Sequence, residues 1–180
     1  MSKIGRKPID ISKVTVSVAG NIVAIKGAKA QFDHELPACL VATINPTQNN
    51  IVLGVTENTR KVRTLWGMHR AVIANKVQGA GVGLEQRVKL VGLGYKGQLV
   101  GSKIVFTVGF SHKVEVDVPQ GIAIEIDKTG QLITVRGADK FVIGNVCDAM
   151  RSVRPPEPYK GTGIMRENEV IVRKAGKTKN

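Results

Sequence analysis

Eighteen consecutive apolar residues occur nowhere in this chain, so no segment is expected to cross a membrane as a helix. The opening stretch, MSKIGRKPID, lacks the apolar core of a secretory signal. Cysteine is scarce. Cys39 in PACLV and Cys147 in NVCDAM read as buried free thiols of a reducing compartment rather than as a disulfide. His34, His69 and His112 stand singly, without metal-ligand spacing, so no metal centre is expected. Aromatic residues make up only 4% of the chain, which argues against a single-strand binder built on stacked bases. There is no aromatic RNA-recognition strand and no zinc knuckle.

Positive charge is what the chain has in excess. Lysine and arginine number 27 against 14 acids, a formal net charge of +13 over 180 residues. Such an imbalance points to a polyanionic partner, nucleic acid before an anionic membrane, although a merely solvated basic surface has the same composition. Apolar residues reach 42%, enough for a packed core and too many for wholesale disorder.

The chain repeats itself at an offset of about 81 residues. GNIVAIKG begins at Gly20 and GSKIVFTVG at Gly101. Alternating runs follow, FDHELP to Pro37 and KVEVDVP to Pro119, then NNIVLGVTEN and GQLITVRGAD, each closing in a polar helix start. Period-two patterning predicts strands over 14–18, 21–26, 31–36 and 51–55 in the first copy. The second copy reads as strands over 86–91, 96–100, 103–108, 112–118, 122–126 and 132–136. Asn58 or Thr59 can cap a helix to about Val77, with Val62, Leu65, Trp66, His69, Val72 and Ile73 as its apolar face. Gly79 is expected to close it, and QGAGVG (78–83) reads as a flexible linker. Asp139 can cap a second helix to about Arg151, with Val142, Val146, Cys147 and Met150 facing inward. Tight turns between strands predict mostly antiparallel sheets. The expectation is an α+β fold of two tandem duplicated domains, 1–81 and 82–180, each a sheet packed against one main helix.

Several motifs look chemical. GLGYKG (92–97) matches a dinucleotide-binding pattern, but a strand follows it where a helix N-terminus is needed, so a glycine-assisted hairpin fits better. AGKT (175–178) would need glycine at position 171 to be a phosphate-binding loop, and Ile171 is there. Asp33, His34 and Glu35 are adjacent, so in a strand they alternate between faces, as in an ordinary solvent-facing strand. No nucleophile elbow or Cys/His signature appears, and no catalytic residue, cofactor or small-molecule substrate is expected.

The basic residues are better organised. Arg60, Arg63 and Arg70 fall at i, i+3 and i+10 on the first helix, largely opposite its apolar face, where a solvated stripe would look the same. Lys3, Arg6 and Lys7 form a short basic arm. From Arg151 onward eight basic residues face three acids, and the last stretch, VRKAGKTKN, is polar enough to stay disordered unless something holds it. Just before it lies RPPEPYKGTGI (154–164), with three prolines in five residues and then two glycines. Prolines pre-order such a loop, so binding costs less entropy, and glycines let backbone approach phosphates. Arg154 and Lys160 supply charge, and Tyr159 can stack on a base or sugar or bond a phosphate.

RPPEPYKGTGI strongly resembles the signature of the bacterial ribosomal L-six family, the sixth protein of the large ribosomal subunit. SKIGRKPI resembles that family's usual opening, and LVGLGYKGQL the start of its second domain. The resemblance covers the whole chain. It implies two tandem α+β domains and direct binding to large-subunit (23S) rRNA near the stalk base, by the sarcin–ricin loop where translation factors dock. Neighbouring large-subunit proteins are implied as further partners, in a cytoplasmic, ribosome-bound setting without catalysis or cofactor. Arg154, Tyr159, Lys160 and Gly161 carry over by position, and the basic residues Arg166, Arg173, Lys174 and Lys177 complete the expected rRNA-binding set. Thr162 stands where the family commonly has lysine, and Met165–Arg166 replaces a basic–aromatic pair, which leaves those contacts open. A free-standing RNA-binding regulator or chaperone remains the alternative.

Overall fold

The computed structural model describes residues 2–177. The described chain divides into two compact units: the residues up to Leu84 with Ala138–Lys140, and Glu85–Gly137 with the residues from Phe141 on.

In the first unit, β1 (Ile9–Asp10), β2 (Thr15–Ala19), β3 (Ile22–Lys26), β4 (Gln31–Glu35), β5 (Leu40–Asn45) and β6 (Asn50–Val55) form two three-stranded sheets. Their orders are β2-β3-β4 and β1-β6-β5, antiparallel throughout. Period-two side chains put Val23 and Ile25 of β3 and Ile51 and Leu53 of β6 into the core. Helix α1 (Arg60–Gly81) starts where Thr59 accepts the Val62 N–H on its hydroxyl, and it buries Val62, Trp66, Ile73 and Val77. Trp66 is the largest of these, and its indole N–H donates to the Leu53 carbonyl at 2.8 Å, so its polar end is satisfied inside the core.

Two expectations fail at the end of α1. Gly79 does not close the helix, and residues 78–83 are not a linker. The helix runs to Gly81, and Val82 and Gly83 both donate to the Gln78 carbonyl, with Gly83 at φ +87° as the terminating glycine. The end is held by packing. Ala80 is fully buried and its carbonyl accepts from Lys29, while a side chain on Gly79 would meet the Ala138 carbonyl at 1.8 Å. The glycines are there for close approach, and tertiary contact overrides their low helix propensity.

The second unit repeats the order with β7 (Leu84–Val91), β8 (Lys96–Val100), β9 (Lys103–Thr107), β10 (Val114–Asp117), β11 (Ile122–Ile126), β12 (Leu132–Gly137) and α2 (Lys140–Val153). One sheet runs β10-β9-β8 and the other β11-β12-β7-β13, where β13 is Gly163–Arg166. Ile104 and Phe106, Ile133 and Val135, and Ile143, Val146, Cys147 and Met150 are buried. This is the α+β duplication expected: β8, β9, β10, β11 and β12 take the places of β2 to β6.

Strands β5 and β13 and the two-residue β1 were not legible as strands. The GLGYKG turn is a corner rather than a hairpin, because β7 and β8 belong to different sheets. Both cysteines are free, but only Cys147 is buried, where desolvation pushes its thiol up to about 11. His34 and His69 do not stand singly. His34 Nε2 and His69 Nδ1 share a hydrogen bond of 2.9 Å between β4 and α1, so the half-buried His34 does not face solvent as Asp33 and Glu35 do.

Candidate nucleic-acid interface

The proline-rich segment is tied at both ends. It leaves α2 and returns as β13, antiparallel to β7, with Ile164 fully buried and its N–H donating to the Arg154 carbonyl at 2.8 Å. Inside the loop, Glu157 N–H donates to the Thr162 carbonyl at 3.0 Å, and the Thr162 hydroxyl donates to the Glu157 carboxylate at 2.7 Å. Thr162 thus closes the loop, a role that a lysine there would fill differently. Gly163 sits at φ +145°, and a side chain on it would meet Pro156 Cα at 2.6 Å and the Pro155 carbonyl at 2.7 Å. The base of the loop is therefore a packed part of the fold, more so than a merely exposed loop would be.

Around this base the open groups gather. Tyr159 is 57% exposed and Lys160 is exposed beside it. The Arg173 guanidinium lies against the buried Gly161, 3.1 Å from where a side chain would begin, and Lys174 N–H donates to the Pro158 carbonyl at 2.8 Å. The basic tail is thereby held across the loop as far as Lys174, with Lys177 exposed beyond it. The last three residues of the tail, 178–180, lie outside the described ones. Among the described residues, Lys160, Arg173, Lys174 and Lys177 form no ion pair and no side-chain hydrogen bond.

Other expected cations are already engaged. Arg154 is half-buried, donates to the Val108 carbonyl at 2.6 Å, and lies between the rings of Tyr95 and Phe110. Arg166 bonds Asp148 at 2.6 Å in a charged groove where Arg151 also forms a two-pronged pair with Glu169. Hydrogen bonds from Arg151 hold the Glu169 carboxyl below its ordinary range. With Glu85, Asp148, Glu167 and Glu169 facing Arg87, Arg151 and Arg166, this groove carries no excess positive charge for a phosphate.

The first unit treats its cations similarly. Arg70 donates to the Lys7 and Pro8 carbonyls at 3.1 and 2.9 Å, and Arg63 to Asn58 at 2.8 Å. Arg60 stays exposed, as do Lys3, Arg6 and Lys7. The arm that bears them is seated by Gly5, where a side chain would lie 2.5 Å from the Trp66 ring. Sequence spacing found the cations but not their partners, because a carbonyl or carboxylate that neutralises an arginine is distant in the chain.

Comparison with known proteins agrees with this architecture. The family model described as "Ribosomal protein L6" matches residues 91–167, from the end of β7 through β13. Proteins named "Large ribosomal subunit protein uL6" are similar along nearly the entire length. That of Syntrophomonas wolfei is 44% identical over 178 residues, 98% of each chain. That of Gloeothece citriformis is 42% identical over 181 residues, 99% of this chain and 98% of its own. A duplicated α+β fold, a Pro/Gly loop returning as the last strand, and identity above 40% across both units show that this chain belongs to the ribosomal protein L6 family.

Proposed function

We propose that this protein is a structural constituent of the large ribosomal subunit that binds 23S rRNA directly through the Pro/Gly loop and the tail laid across it. The observation that carries the reading is local. Tyr159, Lys160, Arg173 and Lys174 stand open around a loop whose two ends are fixed by α2 and β13. Cations on a pre-ordered frame can meet phosphates without a large ordering cost, which is how backbone contacts position a protein on folded RNA. The second unit carries most of the affinity in this reading, and Lys3, Lys7 and Arg60 of the first contribute less. The curated relatives are ribosomal-subunit proteins and not enzymes. The finer placement, near the stalk base and the sarcin–ricin loop with translation factors and neighbouring proteins as partners in the cytoplasm, belongs to the same proposal and rests on the signature loop.

The test is binding of the full-length protein to 23S rRNA over a range of salt. Log affinity is expected to fall linearly with log salt, by about 0.7 to 0.9 per phosphate neutralised. The protein should also sediment with large subunits through a moderate salt wash, which a free-standing RNA-binding regulator would not do. A flat salt response removes the electrostatic account.

A further inference from the structure

Four planar side chains stand in series in the second unit. The Arg154 guanidinium lies 5.4 Å from the ring centre of Tyr95 and 5.2 Å from that of Phe110. Phe110 stacks on His112, with centroids 5.8 Å apart and planes within 16°. The order is Tyr95, Arg154, Phe110, His112. One end is built into the fold: Tyr95 is half-buried at the β7–β8 corner and Arg154 is tied to Val108. The other end is open. Phe110 is 44% exposed, and His112 and Lys113 are exposed.

An ordered stack that ends in an exposed ring is ready to accept one more flat group. Its ordering cost is met on folding, through Arg154 and the turn at Gly109 with φ +78°. Nucleobases offer such a face whatever their sequence, and they stack on histidine, phenylalanine and arginine planes in RNA complexes. In a chain of net charge +13, with Lys113 next to the ring, the flat group that fits is part of a polyanion. We propose that the exposed His112–Phe110 end is a base-stacking site that takes one unstacked nucleobase of rRNA, with Lys113 on the adjoining phosphate. This rests on the rRNA-binding reading above and deepens it from backbone contact to contact with a base.

The experiment compares full-length variants for binding to in-vitro transcribed 23S rRNA at several salt concentrations, with thermal melts as a control for folding. His112→Ala should weaken binding about tenfold with an unchanged salt slope, because stacking releases no counterion. His112→Phe should restore it. His112→Trp adds a tryptophan to the single buried Trp66, and its emission should be quenched when rRNA binds. If His112→Ala binds like wild type while Lys160→Ala weakens and flattens the salt response, the stacking site is wrong and the rRNA reading stands. If His112→Ala keeps its rRNA affinity but no longer sediments with large subunits, the ring serves a protein contact and the proposal is overturned. A wild-type protein that does not bind rRNA at any salt overturns both readings together.

Discussion

Gly20 and Gly101 make the same turn in the two copies, at φ +59° and +60°, with open space where a side chain would stand. The aromatic residues do the opposite. In the first unit Trp66 is buried, and Phe32 packs against the core. In the second, Phe110 and Tyr159 stand open, and Phe106 alone fills the core at full burial. Strand β13 marks the same divergence. The first unit ends its repeat at α1, whereas the second continues through the proline loop and adds a fourth strand beside β7. A duplication preserves the elements that form a core, because burial constrains them, and it leaves turns and additions free to take up binding.

The largest effect expected within this comparison is on folding. Gly163→Ala forces a side chain onto the backbone of Pro155 and Pro156 at positive φ and should cost about 3 kcal/mol, read as a lower midpoint in denaturant. Gly20→Ala and Gly101→Ala meet nothing and carry only the left-handed backbone penalty, about 1 kcal/mol each and equal in the two copies. Unequal costs at those two positions would break the claim that the copies share their turns.

Binding comes next. Alanine at Lys160, Arg173 and Lys174 together should weaken rRNA binding roughly a hundredfold near 0.1 M salt and reduce the slope by about two to three. The matched triple at Lys3, Lys7 and Arg60 should do much less. The reverse ranking would move the interface to the first unit. Pro155→Ala with Pro156→Ala keeps every charge. It should lower affinity by about 1 kcal/mol at an unchanged salt slope, through a looser loop. Because these prolines pack on Gly163, a modest drop in melting temperature should accompany it.

The smallest effect lies in the first unit alone. Burial, then Lys76 and His69, bring His34 down to about 4 from an ordinary 6.5. The unfolded chain therefore binds more protons between those values. Stability from this pair is present above about pH 6.5 and is lost as pH falls toward 4. His34→Gln should flatten the pH dependence of the melting temperature in that window. An unaltered pH profile would show that the pair is indifferent to folding.

The strands that alternate cleanly, such as β3 and β9, were legible because period-two burial writes itself into sequence. Strand β5 was not, since Pro37, Ala38 and Cys39 lead into it without alternation and Pro46 cuts it off. Strand β13 was masked by the glycines that its close approach to Pro155 and Pro156 requires. Lys160 and Tyr159 were legible as open groups from the Pro/Gly context. Arg154 was read as a phosphate contact, and its partners Tyr95, Val108 and Phe110 are too far away in sequence to be seen. The exposed aromatics were discounted on composition, which reports how many rings there are and not where they gather. A short GFSH turn, glycine followed by an aromatic and a histidine, was the one local signal of the stack.

Strand β13 also sets an order in time. A chain made from its N-terminus can complete both sheets of the first unit once Val55 has emerged, and α1 by Gly81. The four-stranded sheet of the second cannot close until residue 166 is out, and the proline loop is shaped only by that closure. The surface proposed to hold RNA is thus the last to be finished. A chain interrupted before β13 could fold its first half and still lack the shaped loop, so that engagement with RNA would discriminate finished chains from fragments.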